Sequence, residues 1–380
     1  MSKEHPVILQ VLPALDIGGV EEVVLETARA VKAAGYESIV ASSGGRMIKH
    51  LDRAGITHIT LPLDTNRNPW KIFKKNVDSI EKIIRDKGVD IVHAHSRAPA
   101  WSAYYACKRA GIPMVTTFHG FYGVKGWLGL KKKYNESMVK GKLIIAVSQF
   151  IKEHIVSVYG RPRDKIRLVY NGIDISKYSL KSVLQEQKEA LLESWRVPEN
   201  ARIVLLPGRG TEWKGQKYMI EALKLIDRPD VYVVLFGALQ GPQSYAQSLT
   251  QLAEKLGVDS RVRLTGIADI ISAYALAEVV VNTSIKPETF GLTMIEAQAM
   301  QRIPISFDHG GPTETIKNGV TGFLVPLNNT QALADAVVKV LDMPEDQYEA
   351  VADAARQSVV ENFSLEECAK KTIDIYKSLL

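Results

Sequence analysis

The chain has 380 residues, of which 46% are hydrophobic, 24% charged and 7% aromatic. That is room for two to three domains at roughly 150 residues each; the balance excludes disordered and fibrous classes, and no window holds the roughly 20 uninterrupted apolar residues of a membrane span. The formal charge of +6 is unevenly spread, with 28 basic and 16 acidic side chains in residues 1–180 and 20 and 26 in residues 181–380. A basic half asks for an anionic partner, with nucleic acid, a membrane surface and an anionic substrate as candidates.

The N-terminus, Met1-Ser2-Lys3-Glu4-His5-Pro6, runs straight into Val7-Ile8-Leu9 without signal-peptide architecture. The expectation is a chain neither secreted by that route nor integral to a membrane. Short β-branched runs at 7–12, 38–41, 56–61, 90–93, 114–117, 143–147 and 167–170 read as strands. Helical spacing fills the gaps at 21–34, 69–86 and 99–110. After a polar, strandless stretch at 176–200, taken as the connection between domains, strands recur at 203–206, 232–236, 261–265, 279–282, 303–306 and 323–325. Helices are expected at 215–225, 244–256, 291–300 and 330–341. Such alternation predicts two doubly wound α/β domains, 1–180 and 181–363, with ligands at the C-terminal ends of the strands and one cleft shared by the two. The amphipathic tail, 364–380, is expected to pack back onto the N-terminal domain. Cys107 and Cys368 match no metal or redox spacing and read as buried structural thiols.

Three stretches carry chemistry. Gly18-Gly19-Val20-Glu21 joins the first strand to a helix, where paired glycines let the backbone approach an anion. It is not GxGxxG, so the dinucleotide fingerprint is absent. Pro207-Gly208-Arg209-Gly210 ends the first strand of the second domain, and Thr211-Glu212-Trp213-Lys214-Gly215 opens the next helix. Two cations on a glycine-rich loop at a helix start suit a diphosphate, and GxxxxGK[ST] is missing, so a kinase or NTPase reading fails. Third, Pro287-Glu288-Thr289-Phe290-Gly291-Leu292-Thr293-Met294-Ile295-Glu296-Ala297 puts one glutamate in a loop and a second in the following helix. Glu288 would accept from sugar hydroxyls, the amides of Gly291, Leu292 and Thr293 would face a phosphate, and Glu296 would bind a ribose diol.

This last stretch resembles the EX7E motif of the retaining glycosyltransferases of family 4, which have the GT-B fold. Thr117-Phe118-His119-Gly120, Val147-Ser148, Asn171-Gly172-Ile173-Asp174, Gly310-Gly311-Pro312-Thr313-Glu314 and Gly319-Val320-Thr321-Gly322-Phe323 follow in the family's order. The resemblance implies transfer of a sugar from a nucleotide-diphosphate donor to an acceptor hydroxyl. Arg209 and Lys214 would then hold the diphosphate, Glu288 the donor sugar and Glu296 the ribose. His119 would approach the donor sugar, and Gly19 would touch the phosphate. The loop Gly237-Ala238-Leu239-Gln240-Gly241-Pro242 is two residues longer than the family's Gly-x-Gly-Pro, which bears on base recognition. None of the 18 Asp residues forms Asp-x-Asp, so no metal is expected, and no cofactor beyond the donor. His93 and His95 point to one face of a strand and read as structural or acceptor-side groups.

In this fold the N-terminal domain takes the acceptor. Arg97 and a lysine cluster, Lys125, Lys131, Lys132 and Lys133 around Trp127 and Leu128, suit an anionic glycan or glycolipid, or an anionic membrane surface. Ser96-Arg97-Ala98-Pro99-Ala100-Trp101 also resembles lipopolysaccharide-core glycosyltransferases. The expectation is a cytoplasmic enzyme, peripheral on the cytoplasmic face of the inner membrane. No nucleic-acid-binding module appears. A nucleotide-sugar 2-epimerase of GT-B architecture is disfavoured by the EX7E stretch, and a non-catalytic binding regulator by the intact Glu288, Arg209 and Lys214.

Overall fold

The computed structural model describes residues 5–16, 18–63, 69–124 and 129–380. The chain forms two compact units, Met1–Gly172 with Leu365–Leu380 and Ile173–Ser364. Unit 1 holds β1 (Val7–Val11), β2 (Glu37–Ser42), β3 (Thr57–Thr60), β4 (Ile91–Ala94), β5 (Met114–Phe118), β6 (Leu143–Ala146) and β7 (Ile166–Leu168). All pair in parallel, in the order β3-β2-β1-β4-β5-β6-β7. Strands covered on both faces carry unbroken apolar runs. β1, Val-Ile-Leu-Gln-Val, is buried throughout, and Gln10 is its one polar residue.

Unit 2 repeats the plan with β8 (Arg202–Pro207), β9 (Val231–Phe236), β10 (Val262–Leu264), β11 (Ala277–Asn282), β12 (Ile303–Phe307) and β13 (Phe323–Val325). Their order is β10-β9-β8-β11-β12-β13, again all parallel. In both sheets the winding reverses beside the first strand, between β1 and β4 and between β8 and β11. These are the topological switch points, where neighbouring loops part and ligands bind in open α/β sheets.

Amphipathic helices cover the sheets. Helix Gly19–Ala33 buries Val24, Leu25, Ala28 and Val31. Helix Leu365–Lys377 lays Ile373, Ile375 and Tyr376 against Ile8, Ile91 and Val115 of unit 1. The stretch 176–200, read from sequence as a connection, instead holds the helix Gln185–Trp195, which buries Leu191 and Trp195 within unit 2. The first crossing between units falls at Gly172 rather than near 180. Ile173 is drawn into unit 2 because its N–H donates to the Phe363 carbonyl at 2.9 Å and it bridges with Ser364. Cys107 is buried and Cys368 half-buried, and burial pushes their thiols up to about 12 and about 11. Among the described residues no helix is long and apolar enough to cross a membrane.

Candidate functional site

In unit 2 the chemistry gathers at the β8/β11 switch point. After β8, Gly208 turns the chain, Arg209 stands exposed, and Lys214 closes a short 3-10 turn before the helix Gln216–Leu225. Gly215 ends that turn in the left-handed region (φ +67°), and a Cβ there would lie 2.1 Å from the Thr283 carbonyl oxygen. Only glycine lets the Lys214 loop lie this close to the exit of β11. The longer loop after β9 makes a 3-10 turn, Ala238–Gln240, and rests on the Arg209 loop; a Cβ on Gly210 would meet the Ala238 carbonyl at 2.0 Å.

Lys214 Nζ donates to Glu288 Oε1 at 2.7 Å, with the two side chains only 15% and 13% exposed. Asn282 Nδ2 donates to the same oxygen at 3.0 Å, and so does Ser284 Oγ. Burial pushes the Glu288 carboxyl up, but the Lys214 charge and these donors outweigh it and hold the group below the ordinary carboxylate value. Among the described residues nothing donates to Oε2. Lys214 Nζ also sits 4.6 Å from the centre of the Trp213 ring. His309, after β12, donates from Nε2 to the Ser284 carbonyl and so ties a third loop to the cluster.

Gly291 (φ +89°) caps the helix Leu292–Ala299. The amides of Leu292 and Thr293 open that helix and have no acceptor within it. Glu296 lies on the second turn, where Tyr178 Oη donates to its Oε1 at 3.0 Å and Tyr274 Oη to its Oε2 at 2.6 Å. Burial first, then the Glu296 charge, raises the Tyr274 phenol far above its ordinary value and keeps it a donor. Sequence reasoning did not single out Asn282, Ser284, Tyr178, Tyr274 or His309. Asn282 and Ser284 stand within six residues of Glu288 and were the legible signal.

In unit 1 the β1/β4 switch point holds Gly18 and Gly19, which open the helix Gly19–Ala33, and the rings that follow β4 and β5. The Glu21 carboxylate folds back there, since a Cβ on Gly18 would lie 2.4 Å from Glu21 Oε2. Burial raises the Glu21 carboxyl above its usual value. His119 stacks on His95 with ring centres 5.4 Å apart, and Nε2 of His119 meets Nδ1 of His95 at 3.1 Å. His95 Nε2 meets Gln10 Oε1 at 2.9 Å. His93 bonds through Nδ1 to Tyr376 Oη and through Nε2 to Thr117 Oγ1. Burial keeps all three rings neutral, pushing His93 down to about 3 and His119 to about 4.

Arg97 donates to Asn135 Oδ1 at 3.1 Å and lies over the rings of Tyr122 and Tyr134, at 4.6 and 5.3 Å. Lys131, Lys132 and Lys133 occupy an exposed short helix, Leu130–Asn135, in which Leu130 is 59% exposed. Lys125, with Trp127 and Leu128, lies outside the described residues.

Two parallel-sheet Rossmann-like units, each with polar groups gathered at its switch point, are the architecture of the GT-B class. The model of "Glycosyltransferase Family 4" matches residues 17–177 and that of "Glycosyl transferases group 1" matches residues 187–358. A glycosyltransferase structure from Rickettsia africae is 37% identical with a TM-score of 0.90, covering 99% of each chain. An uncharacterised glycosyltransferase of Methanocaldococcus jannaschii is 30% identical, covering 81% of this chain and 80% of the relative. A D-inositol 3-phosphate glycosyltransferase of Xylanimonas cellulosilytica is 26% identical, covering 95% and 92%. The chain belongs to glycosyltransferase family 4.

Proposed function

We propose that the chain is a retaining, metal-independent glycosyltransferase that takes its sugar from a nucleotide-diphosphate donor. The observation that carries this reading is the Glu288 carboxylate. Three donors converge on Oε1, Lys214 among them, and Oε2 is left to accept from sugar hydroxyls. Arg209, Lys214 and the first amides of helix Leu292–Ala299 would hold the diphosphate, where negative charge develops as the glycosyl bond breaks. Tyr274 would orient Glu296 toward the ribose. In the transfer the anomeric carbon–oxygen bond to the diphosphate breaks and a bond to the acceptor oxygen forms. The acceptor's proton passes to the leaving diphosphate, and the transition state is oxocarbenium-like.

For the acceptor we propose an anionic glycolipid or glycan, of the kind a lipopolysaccharide-core precursor offers. The basic N-terminal half and the exposed Lys131–Lys133 helix support it, and the Xylanimonas relative is named for a phosphate-bearing acceptor. The same helix would hold a cytoplasmic enzyme peripherally on anionic lipid.

The test is turnover of a panel of UDP-, GDP- and ADP-sugars, followed by release of the nucleoside diphosphate with and without EDTA. Release from one base class, unaffected by EDTA and with retained anomeric configuration in the product, is expected. No release from any donor would overturn the reading. Release abolished by EDTA would overturn metal independence.

A further inference from the structure

The polar groups at the β1/β4 switch point of unit 1 form a chain whose protons can be placed one after another. Gln10 Nε2 donates to the Val24 carbonyl at 3.2 Å, and a carbonyl can only accept. The amide oxygen of Gln10 therefore faces His95, and the nitrogen it meets, Nε2, must carry the hydrogen. Turning the amide over would set two buried acceptors against each other, Gln10 Oε1 and the Val24 carbonyl.

His95 is neutral, so with its proton on Nε2 its Nδ1 is a lone pair. That lone pair faces His119 Nε2 at 3.1 Å, so His119 donates and its own proton is on Nε2. A doubly protonated His95 would reverse this arrangement. It is excluded by near-complete burial and by the His93 ring 4.0 Å away, itself held between Tyr376 and Thr117. Among the described residues, every group that bonds to or stacks on the three rings is uncharged. What remains on His119 is Nδ1, which has no partner among the described residues.

We propose that Gln10 and His95 are positioning residues that fix His119 as its Nε2–H tautomer, so that Nδ1 accepts a hydrogen bond from a substrate hydroxyl. His119 then orients a hydroxyl and does not act as a proton donor. The placement of the protons stands on geometry alone, whereas the hydroxyl as ligand rests on the glycosyltransferase reading above.

Both parts are tested on the full chain labelled with 15N-histidine. Long-range 1H–15N correlation at pH 6.5–8 should show His95 and His119 as neutral Nε2–H rings. Gln10→Leu removes the amide oxygen and leaves the Val24 carbonyl in its helix. It should average the ring-nitrogen shifts of both histidines and lower kcat/KM about tenfold, the worth of one hydrogen bond of about 1.4 kcal/mol. Gln10→Glu should recover activity at acid pH, where a protonated carboxyl copies the amide. As pH rises and the carboxyl ionises, it still accepts from His95 Nε2–H but loses its donor to the Val24 carbonyl, so activity should fall in part, a profile that packing alone would not produce. Adding the nucleotide sugar that the enzyme turns over should shift His119 Nδ1 upfield. A His119 proton on Nδ1 in the free protein, or unchanged ring shifts in Gln10→Leu, would overturn the proposal. The expected tautomers without turnover of any donor would instead overturn the glycosyl-transfer reading and leave the proton placement standing.

Discussion

The Lys214–Glu288 pair offers the sharpest quantitative test of unit 2. Lys214→Met keeps the length of the side chain and removes its charge. Glu288 then keeps Asn282 and Ser284 but loses the one cation paired with it among the described residues, in a place where both side chains are less than one-sixth exposed. Breaking a buried pair by removing one partner costs about 3–5 kcal/mol; the two surviving hydrogen bonds set the expectation near the low end, about 3 kcal/mol. At roughly 2–4 °C per kcal/mol for a unit of this size, the transition of unit 2 should fall by about 6–12 °C.

The sign of the pH dependence follows from the same geometry. In the wild type Glu288 is held below its ordinary value, so its contribution is complete above 4.5 and is lost as pH falls through the depressed value. In Lys214→Met burial is opposed only by two neutral donors, the carboxyl rises, and protonation relieves the strain as pH falls. The stability gap between the two proteins should therefore be wide at pH 8 and narrow at pH 5. Lys214→Met/Glu288→Gln, which buries no charge, should regain most of the lost stability at pH 8. Thermal unfolding of the three proteins at both pH values measures this. An unshifted transition in Lys214→Met, or a gap that does not depend on pH, would refute the pairing argument.

Gly215→Ala should add ~1–3 kcal/mol of backbone strain before its clash with Thr283; calorimetry is expected to find a destabilised unit 2 that no longer binds nucleoside diphosphate. Tyr274→Phe removes the donor to Glu296 Oε2, and steady-state kinetics should show KM for the donor rising roughly tenfold, the worth of about 1.4 kcal/mol, with kcat little changed. Charge reversal of Lys131, Lys132 and Lys133 to Glu should release the protein from vesicles with anionic lipid in a flotation assay; unchanged flotation would refute membrane contact through that helix.

Much of this was legible in the sequence because parallel strands covered on both faces are predominantly apolar. All six strands of unit 2 could be read as short β-branched runs, and the glycine-rich turns fall at the switch point of each sheet. The helix Gln185–Trp195 was not legible. Its Gln-Glu-Gln-Lys-Glu start is as polar as a linker, and only Leu191 and Trp195 anchor it. Nor was the pairing of Lys214 with Glu288, 74 residues apart, since sequence spacing says nothing of which loops a switch point joins. The Gln10–His95 contact did leave a trace, a lone amide inside the buried run Val-Ile-Leu-Gln-Val, which costs stability unless something meets it.

The central claim is that unit 2 recognises a nucleoside diphosphate at the β8/β11 edge through Arg209 and Lys214. Titration calorimetry of UDP, GDP and ADP, each beside its monophosphate, tests it most directly in the wild type and in Arg209→Ala. The account predicts that one diphosphate binds, that its monophosphate binds far more weakly, and that Arg209→Ala loses roughly tenfold or more, the worth of one charge-assisted contact. Binding of none of the three, or equal binding by wild type and Arg209→Ala, would contradict it.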